Sequence, residues 1–152
     1  MKTFLLITSI VMIFTNCSNQ SAFSHFNIES KQAKSEESIQ SSKIYNKLST
    51  NGIISSVYLN SVIPKEYKEH EYFYISMYTK NDDNNISFLL NNKKAIKVSE
   101  LQNPNKFSYL TSSHTQWKNY YLVEFMKEGN LLNFQVKLSN SSSSNMIYIK
   151  DE

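Results

Sequence analysis

Apolar and polar side chains alternate over short stretches of the chain from residue 51 onward. The clearest stretch is Tyr72–Thr79, where Phe73, Ile75 and Met77 share one side and tyrosine and serine side chains share the other. Leu131–Leu138 shows the same period of two. The predicted strands are Gly52–Asn60, Tyr72–Thr79, Ile86–Leu90, Ala95–Val98, Tyr120–Met126, Leu131–Leu138 and Met146–Ile149.

Turn residues separate these strands, and no convincing helical period lies between them. A strand with one apolar and one polar face is typical of antiparallel sheets that expose one side to water. The number and spacing of the strands predict an all-β domain over residues 51–152. We expect a small antiparallel β-sandwich of about seven strands, immunoglobulin-like or transthyretin-like, with a small β-barrel as the alternative.

The first sixteen residues have the pattern of a secretory signal peptide. Lys2 supplies a positive charge, and Phe4–Phe14 is an apolar run that only Thr8 and Ser9 interrupt. A membrane-spanning helix needs about 18 or more apolar residues, so this run is too short to be one. We therefore predict a signal peptide over residues 1–16.

The residues that follow the apolar run are Phe14-Thr15-Asn16-Cys17. They resemble the lipobox of bacterial lipoproteins, and Phe14 and Asn16 depart from the common pattern in a way similar to the relaxed boxes of spirochaetes. The resemblance implies that Cys17 becomes the first residue after cleavage and carries acyl chains such as palmitate. Two or three such chains hold a protein stably on a lipid bilayer. Ser18 favours the outer membrane, on its periplasmic face or at the cell surface; a soluble secreted protein and an uncleaved anchor are the alternatives.

Residues 17–50 have a different composition, rich in Ser, Lys, Glu and Gln with thinly scattered apolar residues. No period of two or of 3.6 residues is sustained, and such a segment has little apolar area with which to offset the loss of chain entropy. We predict a lipidated cysteine followed by a flexible tether over residues 17–50. The alternative is a short helix that packs onto the domain.

Composition excludes several classes of partner and site. All sixteen basic residues are Lys, and the net charge of +3 is too small for a nucleic-acid-binding surface. The single cysteine allows neither an intramolecular disulfide nor a multi-thiolate metal site. His25, His70 and His114 are too widely spaced for a metal-binding motif, and the Asp82-Asp83 pair is typical of a solvated turn. We predict no nucleic-acid partner, no metal and no cofactor.

No arrangement of catalytic residues can be recognised in the sequence. None of the twenty-four serines lies in a G-x-S-x-G motif, and the chain has only two glycines with which to build a phosphate-binding loop. Trp117 precedes a predicted strand and is interpreted as a core residue. We predict that the protein is not an enzyme. The alternative is an envelope enzyme or small-ligand carrier with a site in the loop region 99–119, which contains His114 and Trp117.

A row of tyrosines is the most suggestive surface feature. Tyr72, Tyr74 and Tyr78 share one side of a predicted strand, and Tyr120 lies on a candidate neighbouring strand. Tyrosine offers a large contact area with a polar tip and is enriched at interfaces, so these four residues form a possible interaction surface. The alternative is an outer sheet face that a loop or the tether covers. Together these features predict a membrane-anchored, non-enzymatic binding module that contacts a protein or another envelope component.

Overall fold

The computed structural model describes residues 30–80, 85–111 and 115–150. Within these ranges the chain forms nine β-strands, two short helices and one 3₁₀ turn. The strands are β1 (Gln40–Tyr45), β2 (Thr50–Tyr58), β3 (Glu71–Thr79), β4 (Ser87–Leu90), β5 (Lys93–Lys94), β6 (Lys97–Leu101), β7 (Asn119–Phe125), β8 (Leu131–Lys137) and β9 (Ser143–Ile149). The helices are α1 (Ser30–Ser38) and α2 (Leu59–Val62), and the 3₁₀ turn is Ser108–Leu110.

All nine described strands belong to one antiparallel sheet with the order β5-β4-β8-β9-β1-β2-β3-β7-β6. The sheet is strongly curled. β4 and β7 stand second and eighth in this order, which would place them about 29 Å apart in a flat sheet. The rings of Phe88 on β4 and Tyr121 on β7 nevertheless have centroids only 5.4 Å apart. The sheet therefore forms a half-barrel whose opposite walls face each other.

One continuous segment, residues 93–101, joins the two ends of the sheet. Its first part pairs with β4, where the amide of Ala95 donates to the carbonyl of Phe88 at 3.2 Å. The next amide, that of Ile96, donates to the carbonyl of Glu124 on β7 at 2.9 Å, and β6 then continues along β7. The segment changes partner between two neighbouring residues and so brings both edges of the half-barrel together.

The inner face of the half-barrel holds the larger core. Phe73 on β3 lies near its centre, with ring centroids 5.1 Å from Tyr58, 4.8 Å from Phe134 and 5.3 Å from Tyr148. The alternating residues of β8 and its end, Leu132, Phe134, Val136 and Leu138, are all buried in this core. The prediction of a small antiparallel all-β domain is confirmed. Its walls pack face to face as in a sandwich, although they belong to one sheet as in a barrel.

A second core covers part of the outer face. α2 and the chain that follows it, together with the loop that contains the 3₁₀ turn, lie over β2, β3 and β7. The residues of this core are Val57, Leu59, Val62, Ile63, Tyr67, Tyr74, Phe107, Leu110 and Tyr120. Helix α1 contacts both α2 and the 3₁₀ turn. The outer face of this half of the sheet is therefore buried where these segments cover it and exposed to solvent elsewhere.

The predicted flexible tether is wrong for the residues from 30 onward. α1 packs on the domain, as the alternative proposed, and β1 lies in the middle of the sheet with Ile44 fully buried. The folded domain therefore begins well before residue 51. The other inward positions of β1, Gln40 and Ser42, are polar and line a poorly closed part of the sheet. The strand therefore lacks apolar alternation. Residues 17–29 lie outside the described residues.

That poorly closed part is the seam between β1 and β9. β1 pairs with β2 over its whole length but with β9 only at Tyr45 and Ser143. Along the rest of this seam, side-chain hydrogen bonds replace backbone pairing. Gln40 Nε2 donates to the carbonyl of Ile147 at 2.6 Å, and the Tyr148 hydroxyl donates to the carbonyl of Ser56 at 2.9 Å. The buried hydroxyls of Ser56 and Ser144 have no hydrogen-bond partner within the described part of the chain.

We expect Phe134→Ala to lower the free energy of unfolding by about 3–5 kcal/mol, because it leaves a cavity where both walls meet. Gln135→Lys, one residue along and on the outer face, should cost less than about 0.5 kcal/mol. Urea unfolding of the two variants measures the difference. Similar large losses at both positions would show that β8 is buried on both faces.

A second pair of variants tests whether β1 belongs to the fold. Ile44→Ala should lower the free energy of unfolding by about 2–5 kcal/mol, since the side chain is fully buried in the inner core. Its neighbour Lys43 is exposed, and Lys43→Ala should have almost no effect. Thermal and urea unfolding measure both. If Ile44→Ala were as mild as Lys43→Ala, residues 40–45 would behave as the tether that the sequence predicted.

Candidate functional site

The predicted tyrosine surface is only partly exposed. Tyr74 and Tyr120 are each 1% exposed and stack on one another with ring centroids 6.2 Å apart. Phe107, from the loop that carries the 3₁₀ turn, lies on Tyr74 at 5.2 Å. Burial raises the pKa of Tyr74 to about 12. These two tyrosines belong to the outer core, so their assignment to an interaction surface is wrong.

The other two tyrosines of that row have different environments. Tyr72 is half-buried against Tyr67, and its hydroxyl donates to Glu124 at 3.2 Å. Tyr78 is 42% exposed. It pairs across the strands with Ile53, which is also exposed, and Tyr45 on β1 is exposed on the same outer face. We call Tyr45, Ile53 and Tyr78 the apolar patch; it lies where the covering segments end.

The loop region 99–119, in which a site with His114 and Trp117 was the alternative prediction, is described except for residues 112–114. Its described part packs down onto the sheet through Phe107 and Leu110, which are both buried. Trp117 is 81% exposed, so its interpretation as a core residue is wrong. His114 and the Asp82-Asp83 pair lie outside the described residues, as do His25 and the predicted lipidation site Cys17.

The structure brings together a cluster of polar residues that the sequence did not indicate. Glu71, the first residue of β3, is fully buried at one end of the half-barrel. Its carboxylate accepts hydrogen bonds from the Tyr58 hydroxyl at 2.5 Å, the Lys150 ammonium at 2.6 Å and the Glu128 amide at 3.1 Å. We call these four residues the Glu71 cluster. These four residues are separated by 13 or more positions in the sequence, so no local sequence motif predicts the cluster.

Charge and burial in the Glu71 cluster shift two pKa values in opposite directions. Burial alone would raise the pKa of Glu71, but hydrogen bonds from Lys150, Tyr58 and the Glu128 amide outweigh it and hold that pKa below its usual value. Burial and the neighbouring Glu71 carboxylate raise the pKa of Tyr58 far above that of a free tyrosine. The cluster therefore contains a carboxylate, an ammonium and a neutral phenol.

A second polar group involves His70 and Tyr72, the residues on either side of Glu71. His70 Nδ1 is 2.5 Å from Glu124 Oε1, so the carboxylate orients the imidazole. Asn60 donates to the carbonyl of His70 at 2.6 Å and accepts from the amide of Tyr72 at 2.8 Å. The described residues contain no group of three or more His, Cys, Asp or Glu side chains that would hold a metal ion.

A groove opens directly beside the Glu71 cluster. It has a volume of about 260 Å³ and is lined by Lys34, Tyr58, Asn60, Ser61, Pro64 and Lys150. α1 contributes Lys34, α2 contributes Asn60 and Ser61, and the chain after β9 contributes Lys150. Lys150 is held in place because its ammonium also donates to the carbonyl of Glu128 at 2.7 Å. Two of the residues that line the groove are lysines.

No family model, curated protein or solved structure matches this chain.

The Glu71 cluster makes a prediction about stability and pH. Because the pKa of Glu71 is lower in the folded than in the unfolded protein, its stabilisation is present above the ordinary glutamate pKa and is lost as the pH falls through the folded value. Glu71→Gln should lower the free energy of unfolding at pH 7 by about 3–5 kcal/mol, since it leaves the Lys150 ammonium without its carboxylate partner. The variant should also lose less stability than the parent between about pH 5 and pH 3.

Glu100→Gln is the matched control, because Glu100 is exposed on β6 and the same atoms are changed. It should leave stability at pH 7 within about 0.5 kcal/mol of the parent. Urea unfolding at a series of pH values measures both variants. An acid dependence that Glu71→Gln leaves unchanged would show that another group controls it.

Proposed function

We propose that this protein is a bacterial lipoprotein, anchored through acylated Cys17 to the outer membrane, and that its domain is a non-enzymatic binding module. The signal peptide pattern and the residues Phe14-Thr15-Asn16-Cys17 support the anchor. Residues 18–29 separate Cys17 from α1, and twelve residues span at most about 40 Å. On this proposal the domain works close to the bilayer surface. No helix within the described residues is long and apolar enough to span a membrane.

The observation that carries the binding role is the apolar patch. Tyr45, Ile53 and Tyr78 lie on three neighbouring strands and are exposed. Ile53 pairs directly with Tyr78, whereas its partner on β1 is Lys43, and Tyr45 lies two residues further along that strand. Leu48, in the turn between β1 and β2, is almost fully exposed. Adjacent exposed apolar side chains on a sheet face are typical of a protein contact. Tyrosine is enriched in such contacts. The patch contains Tyr78 of the predicted tyrosine surface, together with Tyr45 and Ile53 from the two neighbouring strands.

The pairing of charged groups supports a binding role over a catalytic one. Glu71 accepts from three donors, and Glu124 is engaged by His70 and Tyr72. Carboxylates held in this way stabilise the fold at the end of the half-barrel. The exposed apolar side chains, by contrast, have no evident role in the stability of the domain.

Acylation and partner contact are tested in one set of cells. The full chain carries a photo-crosslinking residue at Tyr78 and is labelled with an alkyne fatty acid in a bacterium that processes lipoproteins. We expect acyl labelling and membrane retention, both lost in Cys17→Ala and kept in Ser18→Ala. We also expect a discrete crosslinked species in intact cells, which Ile53→Ser reduces because it removes the neighbouring side chain of the patch.

Tyr109 provides the matched position, since it is 39% exposed and lies on the 3₁₀ turn, away from the patch. The same crosslinker at Tyr109 should not give that species. Labelling that survives Cys17→Ala would refute the anchor. Equal crosslinking from both positions, or crosslinking that Ile53→Ser leaves unchanged, would refute the patch as the contact surface.

A further inference from the structure

The groove beside the Glu71 cluster has the composition of an anion-binding site. Two of its six lining residues are lysines, and none is a carboxylate. The Lys150 ammonium uses two of its three N–H groups on Glu71 and on the carbonyl of Glu128, which leaves one. Asn60 likewise uses one amide hydrogen on His70 and keeps another. These donors are fixed before any ligand arrives, which lowers the entropy cost of binding.

We infer that this groove binds a phosphate group, with Lys34 and Lys150 as the cationic ligands and Asn60 as a neutral donor. The inference is independent of the acylation of Cys17 and of the apolar patch.

The kind of cation favours phosphate over carboxylate. The chain contains no arginine, so it has no planar guanidinium fork to match a carboxylate. Lysine ammonium groups act as compact point charges and are established ligands of phosphate. A phosphate monoester carries a charge of about −1.5 to −2 at pH 7, so an ammonium group attracts it more strongly than it attracts a singly charged carboxylate.

Lys34 determines the net charge of the groove. The buried carboxylate of Glu71 lies against Lys150 and offsets its charge, so Lys150 contributes a positioned donor more than a net charge. Lys34 is exposed on α1 and adds the uncompensated positive charge among the lining residues. Its side chain takes no part in the Glu71 cluster, so it can be changed without disturbing the fold.

The size of the groove limits the ligand. A volume of about 260 Å³ is just below the roughly 300–1,000 Å³ of sites that take drug-sized molecules. It suits a phosphate with a small substituent, and two sources have that chemistry: a small soluble phosphomonoester and the headgroup of a phosphomonoester lipid.

The test is a titration of the ¹⁵N-labelled full chain in maltoside micelles with inorganic phosphate, followed by NMR. We expect saturable shifts of the backbone amides of Lys34, Asn60 and Ser61, and no such shifts with acetate at equal ionic strength. Lys34→Gln should weaken phosphate binding about tenfold, the effect of losing one charge-assisted hydrogen bond. Lys80→Gln is the control, because Lys80 is exposed beyond the opposite end of β3 from Glu71.

The titrations can overturn the proposed phosphate site in three ways. Absent or non-saturating shifts, equal shifts with acetate, or equal weakening by Lys34→Gln and Lys80→Gln would overturn the site. Glycerol 3-phosphate in solution and vesicles of phosphatidic acid in neutral lipid then distinguish the two sources by which of them perturbs the same amides. Acyl labelling of Cys17 and crosslinking from Tyr78 should be unchanged in Lys34→Gln, so failure of this inference is separate from failure of the proposed function.

Discussion

The contact between Phe73 on β3 and Phe134 on β8 holds the two walls of the half-barrel together. These strands stand seventh and third in the sheet, so their rings meet only because the sheet curls back on itself. Among the described residues, no second layer packs against the inner face of the sheet, which buries its apolar side chains against its own opposite wall. The change of partner in residues 93–101 follows from that curvature, because it requires the two ends of the sheet to lie close together.

The sequence predicted the parts of this fold in which apolar alternation is uninterrupted. β3 and β8 are the best examples, because every second residue of Tyr72–Thr79 and Leu131–Leu138 faces the inner core. β1 shows why the prediction failed elsewhere. It has a single buried apolar residue, Ile44, and its burial depends on lying between two other strands, which no local pattern records.

The polar features were harder to predict, for a related reason. Tyr74 and Tyr78 have the same local pattern, yet Tyr74 is buried and Tyr78 is exposed, because a loop from a distant part of the chain covers only one of them. The Glu71 cluster joins residues 58, 71, 128 and 150 and leaves no spacing signature. Both depend on tertiary contacts between distant segments. The groove and the apolar patch could therefore be found only from the folded structure.

The seam between β1 and β9 divides the sheet into a block of four strands, β5-β4-β8-β9, and a block of five, β1-β2-β3-β7-β6. The chain passes from one block to the other three times: β1–β3 lie in the larger block, β4–β5 in the smaller, β6–β7 in the larger and β8–β9 in the smaller. Neither block is a continuous piece of sequence, so neither can assemble until most of the chain has been synthesised. Pairing strands that are far apart in the sequence slows folding, because the entropy cost of closing the loop between them precedes the stabilising contacts. The seam between β1 and β9 is thus not a boundary between two continuous segments of the chain.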